Sequence, residues 1–154
     1  MKKKVELFVF FHIHNAKRFK KGLTSLIPMI TSTSELLQVS TQPDVAINLA
    51  FSFTGLTTLG INETLNDTVF TTGQFQDAPN LNDSTAEWVE VFKGTEIHGM
   101  MLLSSDTLDL VNSKLSSVRH LFGSSMSQLY SLKGQVRPGN EEGHERGFSI
   151  VTTM

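Results

Sequence analysis

The order of apolar patterns along the 154 residues limits the fold more than any other feature of the sequence. Residues 4–13, 45–53 and 125–137 place apolar side chains at alternate positions, which is typical of β-strands. Residues 97–105 form a short continuous apolar run of the kind found in a buried strand. Stretches with helical spacing follow the first and the third strand in chain order. The order is therefore strand, helix, strand, excursion, strand, helix, strand.

This order predicts an α+β domain of the ferredoxin-like, or split βαβ, type, in which a four-stranded, mainly antiparallel sheet carries two helices on one face. The first strand has apolar residues on both faces, since Val9 and Phe11 alternate with Phe8 and Phe10. Such a strand is expected at the centre of a sheet that is covered on both sides. Another domain or subunit is therefore expected to cover the face away from the helices.

Capping residues predict where the two helices begin and end. Asn15 is expected to cap the first helix, and Pro28 is expected to end it by moving Ile27 out of the helical region. Ser105 or Asp106 is expected to cap the second helix, and Gly123 to end it. The predicted apolar stripes are Ala16, Phe19, Leu23, Leu26, Ile27 and Ile30 in the first helix, and Leu108, Val111, Leu115, Val118 and Phe122 in the second.

The connections are predicted from their polar composition. Residues 31–44 are expected to form a loop, and a short helical turn after the second strand is expected to end at Gly60. Residues 61–95 form a long excursion rich in Asn, Asp and Thr. The residues expected to anchor this excursion are Trp88, Val89 and Phe92, and those expected to share one face of the last strand are Met126, Tyr130, Leu132 and Val136.

Composition and charge exclude several classes of function. The formal net charge of −2 gives no electrostatic basis for binding nucleic acid, and no run of 18 apolar residues predicts a membrane span. The absence of cysteine excludes disulfides and thiolate metal sites. The N-terminal MKKKVELFVFF resembles a signal peptide, but Glu6 interrupts the short apolar run and no cleavage site follows. Localisation is therefore left open.

Each histidine could serve a functional site or could simply pack and form hydrogen bonds. His12 and His14 lie two apart on a strand and so point to one side, but no third ligand lies near them in sequence, so no metal site is predicted. His98, inside an apolar strand, is expected to be buried and hydrogen-bonded. His120 is favoured near a helix C-terminus by the helix dipole. Trp88 and Tyr130 could relay electrons, but packing is the preferred interpretation.

Three N-x-S/T sequons lie close together, at Asn62, Asn66 and Asn82. Such a cluster is typical of a surface loop in a secreted protein and makes these three residues candidate N-glycosylation sites.

The most informative segment is GQVRPGNEEGHERGF, residues 134–148. A strand end and a Pro-Gly break precede charged residues set between glycines, as in many functional loops. The charged residues are Glu141, Glu142, His144, Glu145 and Arg146. A plain polar loop has the same composition, and from the residues alone it is the preferred interpretation.

Several segments together resemble the N-terminal part of a fungal dye-decolorizing (DyP-type) peroxidase. They are VELFVFFHI, AFSFTGLTTLG, GQFQDA, HGMMLLSSDTLDLVN and LYSLKGQVRPGNEEGHERGF, and the likeness covers roughly residues 3–148. The resemblance implies a secreted oxidoreductase of the dimeric α/β-barrel type, built from two ferredoxin-like halves around a haem. It further implies peroxide-dependent oxidation of dyes and phenolics.

The sequence departs from the family at the catalytic loop. The family pattern implied by the resemblance is a GxxDG loop after Gly-His-Glu, whose Asp assists proton transfer from peroxide. Here only Gly147 and Phe148 match, Ile150 stands at the Asp position, and isoleucine cannot transfer a proton. The second half, which carries the proximal His in the family, does not follow. We therefore predict no catalytic, haem-binding or metal-binding residue.

The sequence thus predicts a truncated N-terminal half of a haem peroxidase that is inactive alone. Residues 1–140 are the predicted domain, and 141–154 are the incomplete active-site loop with a divergent tail. The predicted partner is a complementing C-terminal half or a second copy. The alternative is a non-enzymatic ferredoxin-like module that dimerises through its open sheet face.

Overall fold

The computed structural model describes residues 3–38, 40–63, 66–136 and 148–151, the last range by its backbone alone. The strands are β1 (Val5–Ile13), β2 (Val45–Phe51), β3 (Gly99–Ser105), β4 (Met126–Val136) and β5 (Phe148–Val151). The helices are α1 (Ala16–Leu26), α2 (Thr33–Leu37), α3 (Phe53–Thr58), α4 (Thr68–Thr72), α5 (Gln74–Asp77) and α6 (Leu108–Phe122). Short 3₁₀ turns lie at Ile27–Met29, Ala78–Leu81, Thr85–Glu87, Glu90–Phe92 and Gly123–Ser125.

In the described part of the chain, the strands form one sheet in the order β2-β3-β1-β4-β5, and every neighbouring pair is antiparallel. The first four strands have the predicted ferredoxin-like order, with β1 at the centre. The short β5 extends the sheet along the free edge of β4, which the sequence did not predict. It arises because the backbone of 148–151 satisfies hydrogen-bonding groups that the edge strand would otherwise expose.

The core lies between the sheet and the two long helices, α1 and α6. Phe19 of α1 stacks on Phe11 of β1 at 5.6 Å and on Phe122 of α6 at 4.5 Å between ring centroids. The helices approach closely at Gly22, where a Cβ would lie 2.7 Å from the carbonyl oxygen of Leu121. Each large apolar side chain buried here stabilises the fold by about 1.5–3 kcal/mol. The buried helical residues are Phe19, Leu26, Val111, Leu115, Val118 and Phe122.

Several local predictions are confirmed and others are wrong. Asn15 caps α1 by accepting a hydrogen bond from the Arg18 N–H at 2.9 Å. Gly123 ends α6 with φ of +53°. However, Ser105 and Asp106 do not cap α6: the side chain of Thr107 accepts from the Leu110 N–H instead.

Ile27 keeps a helical backbone and is 60% exposed, because a 3₁₀ turn that accommodates Pro28 near its start continues the chain. The prediction that Pro28 moves Ile27 out of the helical region is therefore wrong. Phe53 begins α3 rather than ending β2, because Ser52 caps that helix. Part of the predicted loop 31–44 is helical, since Ser32 and Glu35 form a capping box at α2.

The faces of β4 also differ from the prediction. The pairing of β4 with β1 shifts by one residue, since Phe10 lies opposite Tyr130 whereas Phe11 lies opposite Gln128. This β-bulge reverses the faces of the residues before it. Met126 is therefore buried in the helix-side core, while Tyr130 and Leu132 face the other way.

Over the described ranges, no helix combines the length and the apolar character needed to cross a membrane.

Candidate functional site

The sheet surface opposite α1 and α6 is apolar at its centre. Cross-strand partners share one face of a sheet, so the pairing of Phe8 and Phe10 identifies the other members of this surface. All of them are half-buried, in contrast to Val9 and Phe11 on the helix side, which are fully buried. We call this surface the open face and define it by Phe8, Phe10, Met100, Leu102, Tyr130 and Leu132.

The excursion covers one end of the open face. The ring of Phe92 packs edge-on against Phe10 at 5.0 Å and against Tyr130 at 5.4 Å between centroids. Phe92 is therefore an anchor, as predicted. Trp88 contacts Phe75 within the excursion itself, and Val89 is 48% exposed, so these two residues do not attach the excursion to the sheet in the predicted way.

A cavity of about 290 Å³ lies where the excursion meets α3 and the open face. Its lining includes the phenylalanines Phe10, Phe53, Phe70, Phe75 and Phe92, so we call it the aromatic cavity. Ser52 and Thr54 lie at its polar side, where their hydroxyls donate to the carbonyls of Ile97 and Thr95.

Three histidines meet at the end of β1 beside this cavity. The ring of His98 stacks on that of His12 at 4.0 Å between centroids, and His14 lies 4.9 Å from His12. His12 Nδ1 lies 2.9 Å from the Glu96 carbonyl oxygen and 3.2 Å from its carboxylate. His14 Nε2 is hydrogen-bonded to the Ser127 hydroxyl at 2.8 Å. We call these four residues, His12, His14, Glu96 and His98, the histidine cluster.

His98 is the buried member of the histidine cluster, and it is hydrogen-bonded as predicted. Its Nδ1 accepts the backbone N–H of Ile13 at 3.0 Å, which fixes the neutral tautomer with the proton on Nε2. Burial is the first cause that lowers the pKa of His98, and nearby His12 lowers it further, while Glu96 opposes this effect.

The contact of His98 with His12 and His14 could not be expected from their spacing, because 84 residues separate His14 from His98. The hydrogen bond from Ile13 to the His98 ring depends on how β1 and β3 pair, and that pairing is not local. Among the described residues, no group of His, Cys, Asp or Glu has the arrangement of a metal site.

A carboxylate lies at the other end of the same sheet face. Glu6 is opposite Ser104 and Gly134, and partial burial raises the pKa of its carboxyl.

The remaining candidate residues lie in β5, on α6, in the excursion and in the segment after β4. Ile150, which the sequence predicts to stand at the position of the family's Asp, lies in β5 opposite Gly134, and Phe148 lies opposite Val136. His120 is exposed near the end of α6. The candidate glycosylation residues Asn62, Asn66 and Asn82 are all exposed. The charged loop residues Glu141, Glu142, His144, Glu145 and Arg146, and also Gly147, lie outside the described residues.

Comparisons with known proteins agree with this architecture. A family model described as the DyP dimeric alpha+beta barrel domain matches residues 1–138. The dye-decolorizing peroxidase AauDyP1 of Auricularia auricula-judae is 48% identical over 146 residues, and Peroxidase 2 of Mycetinis scorodonius is 49% identical over 152. These matches cover 94% and 96% of this chain but only 29% and 30% of the relatives.

Solved structures give the same result. A crystal structure of the Auricularia auricula-judae decolorizing peroxidase superposes with a TM-score of 0.88 at 48% identity, over 93% of this chain and 32% of that chain. Another similar structure describes an engineered haem pocket of a dye-decolorizing peroxidase, so haem belongs to the proteins that this chain resembles.

Neither the aromatic cavity nor the buried His98 fits a haem. Axial haem ligands in proteins are His, Cys, Met or Tyr, and none of these is among the described residues that line the aromatic cavity. In the histidine cluster, the buried His98 uses Nδ1 for Ile13, and its ring is covered by that of His12. We therefore assign no haem ligand to these residues.

Proposed function

Because this chain belongs to the family of dye-decolorizing (DyP-type) peroxidases, we propose that it supplies the N-terminal ferredoxin-like half of such an enzyme. Its open face docks on a second half, and that second half carries the haem and its axial ligand. The 154 residues alone do not oxidise dyes with peroxide.

The open face is the observation that carries this proposal. Phe8, Leu102 and Leu132 lie side by side across three strands and stay only half-buried, although a sheet centre of this composition is normally covered on both sides. The family domain is described as a dimeric barrel, which supports a second sheet as the cover. A chain that spans about 30% of its relatives leaves ample sequence in those relatives for that second sheet.

The proposed inactivity rests on the chemistry of residues. Ile150 replaces the Asp that the family resemblance places in the catalytic loop, and an aliphatic side chain neither donates nor accepts a proton. The aromatic cavity offers no axial ligand. We therefore expect the chain alone to transfer no proton at this loop position and to hold no haem in this cavity.

A haemin titration of the purified chain, followed by ultraviolet-visible spectroscopy and a peroxide-dependent dye assay, tests the inactivity. We expect no stoichiometric Soret band and no turnover above free haemin. A stoichiometric band together with dye oxidation above that background would contradict the proposal.

Docking is tested by adding the part of Mycetinis scorodonius Peroxidase 2 that follows the matched segment. We expect a one-to-one complex in size-exclusion chromatography with light scattering. Leu102→Lys on the open face should abolish the complex, whereas Leu110→Lys, on the exposed surface of α6, should leave it intact. Equal binding by both variants would rule out the open face as the docking surface.

The same surface could also hold a second copy of this chain. The description of the family domain as dimeric favours this second candidate, and the association state of the chain alone tests it.

A further inference from the structure

The closing end of the excursion is fastened to the sheet through His98. Its backbone N–H donates to the Phe11 carbonyl at 2.9 Å, and its carbonyl accepts from the Ser52 N–H at 3.1 Å. Its ring accepts the Ile13 N–H. Because Phe92 lies only six residues earlier, this attachment also determines where the excursion meets the open face.

The ring hydrogen bond exists only when His98 is neutral. A protonated imidazole donates from both nitrogens and cannot accept the Ile13 N–H. Ile13 is 3% exposed, so its N–H would lose its partner in a buried position, and it would face a second donor. Protonation of this one ring therefore converts an attractive contact into a repulsive one.

The neighbouring histidines also disfavour protonation of His98, whereas Glu96 favours it. His12 stacks on the ring of His98, and His14 lies 4.9 Å from His12, so a positive charge on either imidazole disfavours a charge on His98. Glu96 opposes this effect, but its carboxylate lies against His12 at 3.2 Å and is 70% exposed. His12, His14 and Glu96 are the charged or titratable groups that act on His98.

We propose that His98 is an acid-sensitive latch, whose protonation releases residues 93–98, which join the excursion to β3, from β1 and so uncovers the aromatic cavity at Phe92. This inference does not depend on the proposed peroxidase role. The lowered pKa of His98 determines how stability changes with pH, because the ring binds its proton at higher pH in the unfolded chain than in the folded one. The contribution of His98 to stability is therefore complete above the unfolded value of about 6.5 and is lost as the pH falls through the lower folded pKa.

Hydrogen exchange followed by mass spectrometry on the full chain tests the latch. After correction for intrinsic rates, we expect peptides covering residues 88–98 to exchange at least about fivefold faster at pH 5.0 than at pH 7.5. Peptides of α6 should exchange at the same corrected rate at the two pH values. Equal corrected rates for residues 88–98 at the two pH values would overturn the proposal.

His98→Asn is the matched variant, because an amide oxygen can accept the Ile13 N–H in place of Nδ1 and does not titrate. We expect its exchange to be independent of pH. His120→Asn removes an exposed histidine and should keep the wild-type behaviour. A His98→Asn variant that folds and retains the wild-type pH dependence would also overturn the latch.

A measurement on the unmodified chain keeps the test valid if His98→Asn does not fold. The titration of the His98 ring, followed by nuclear magnetic resonance, should coincide with a change in fluorescence of Trp88, the single tryptophan of the chain, which packs inside the excursion. Two transitions with separate midpoints would contradict the coupling.

Discussion

At the residue scale, Gly55 lies directly against the backbone of His98. A Cβ added at Gly55 would lie 1.8 Å from the His98 carbonyl oxygen. That oxygen already accepts the Ser52 N–H, so neither partner can move without breaking the junction of α3 with β3. Glycine is required here by space rather than by its backbone angles.

We expect Gly55→Ala to lower the free energy of unfolding by about 3 kcal/mol, at the upper end of the usual cost of overpacking. Gly94→Ala is the control, since no atom lies within 4 Å of a Cβ at that position. Urea denaturation of the two variants measures the difference. Identical midpoints would show that α3 can shift away from His98.

The exposed sequons lead to a second residue-scale prediction. When the chain is secreted by a eukaryotic host, we expect glycans at Asn62, Asn66 and Asn82, and a glycosidase should remove them with a measurable loss of mass. Ser84→Ala destroys the Asn82 sequon and should remove one glycan. Ser113→Ala, which alters an Asn-Ser pair outside any sequon, should remove none. An unchanged mass after glycosidase treatment would refute the assignment.

At the scale of elements, capping acts differently on a packed helix and on a peripheral one. The helix α6 buries Val111, Leu115, Val118 and Phe122 in the core, so it forms and unfolds together with the sheet. The helix α2 has no buried residue, and its capping box at Ser32 and Glu35 is what defines its start. The same kind of hydrogen bond therefore contributes to global stability in α6 and only to local order in α2.

We predict that Thr107→Ala lowers the global free energy of unfolding by about 1 kcal/mol, the usual cost of a lost N-cap. Ser32→Ala should leave the global midpoint within about 0.5 kcal/mol and should increase hydrogen exchange within α2 alone. Thermal unfolding combined with exchange distinguishes the two effects. Equal losses of global stability would mean that α2 belongs to the cooperative core.

At the scale of the whole molecule, the two faces of the sheet are unequal. The helix side is closed by α1 and α6, whereas the open face carries half-buried aromatic and aliphatic side chains that Phe92 partly covers at one end. An apolar surface of this kind favours association with another sheet.

We predict that the chain alone self-associates in a concentration-dependent way. Leu102→Lys should make it monomeric, because a charge cannot be buried without a partner, and Leu110→Lys should not. Light scattering over a concentration series measures the result. A wild-type chain that stays monomeric at all concentrations would argue against pairing of two copies.

Much of the fold could be predicted from the sequence, because local spacing encodes it. The alternation of Val9 and Phe11 with Phe8 and Phe10 placed β1 at the centre, and the stripe through Val111 and Val118 gave the buried face of α6. The N-cap of α6 was missed by one or two residues, since several neighbouring polar side chains could each have made that hydrogen bond.

By itself, the sequence determined the order of the first four strands and the two long helices and most of the buried helix positions, since local spacing encodes them, and its motifs indicated the family. Only the tertiary structure decided the bulge that turns Met126 into the core, the cover that Phe92 provides and the meeting of His12 with His98. The physical reason is the same for all three. Each depends on strand register or on the return path of the excursion, and distant backbone segments set both when they pair.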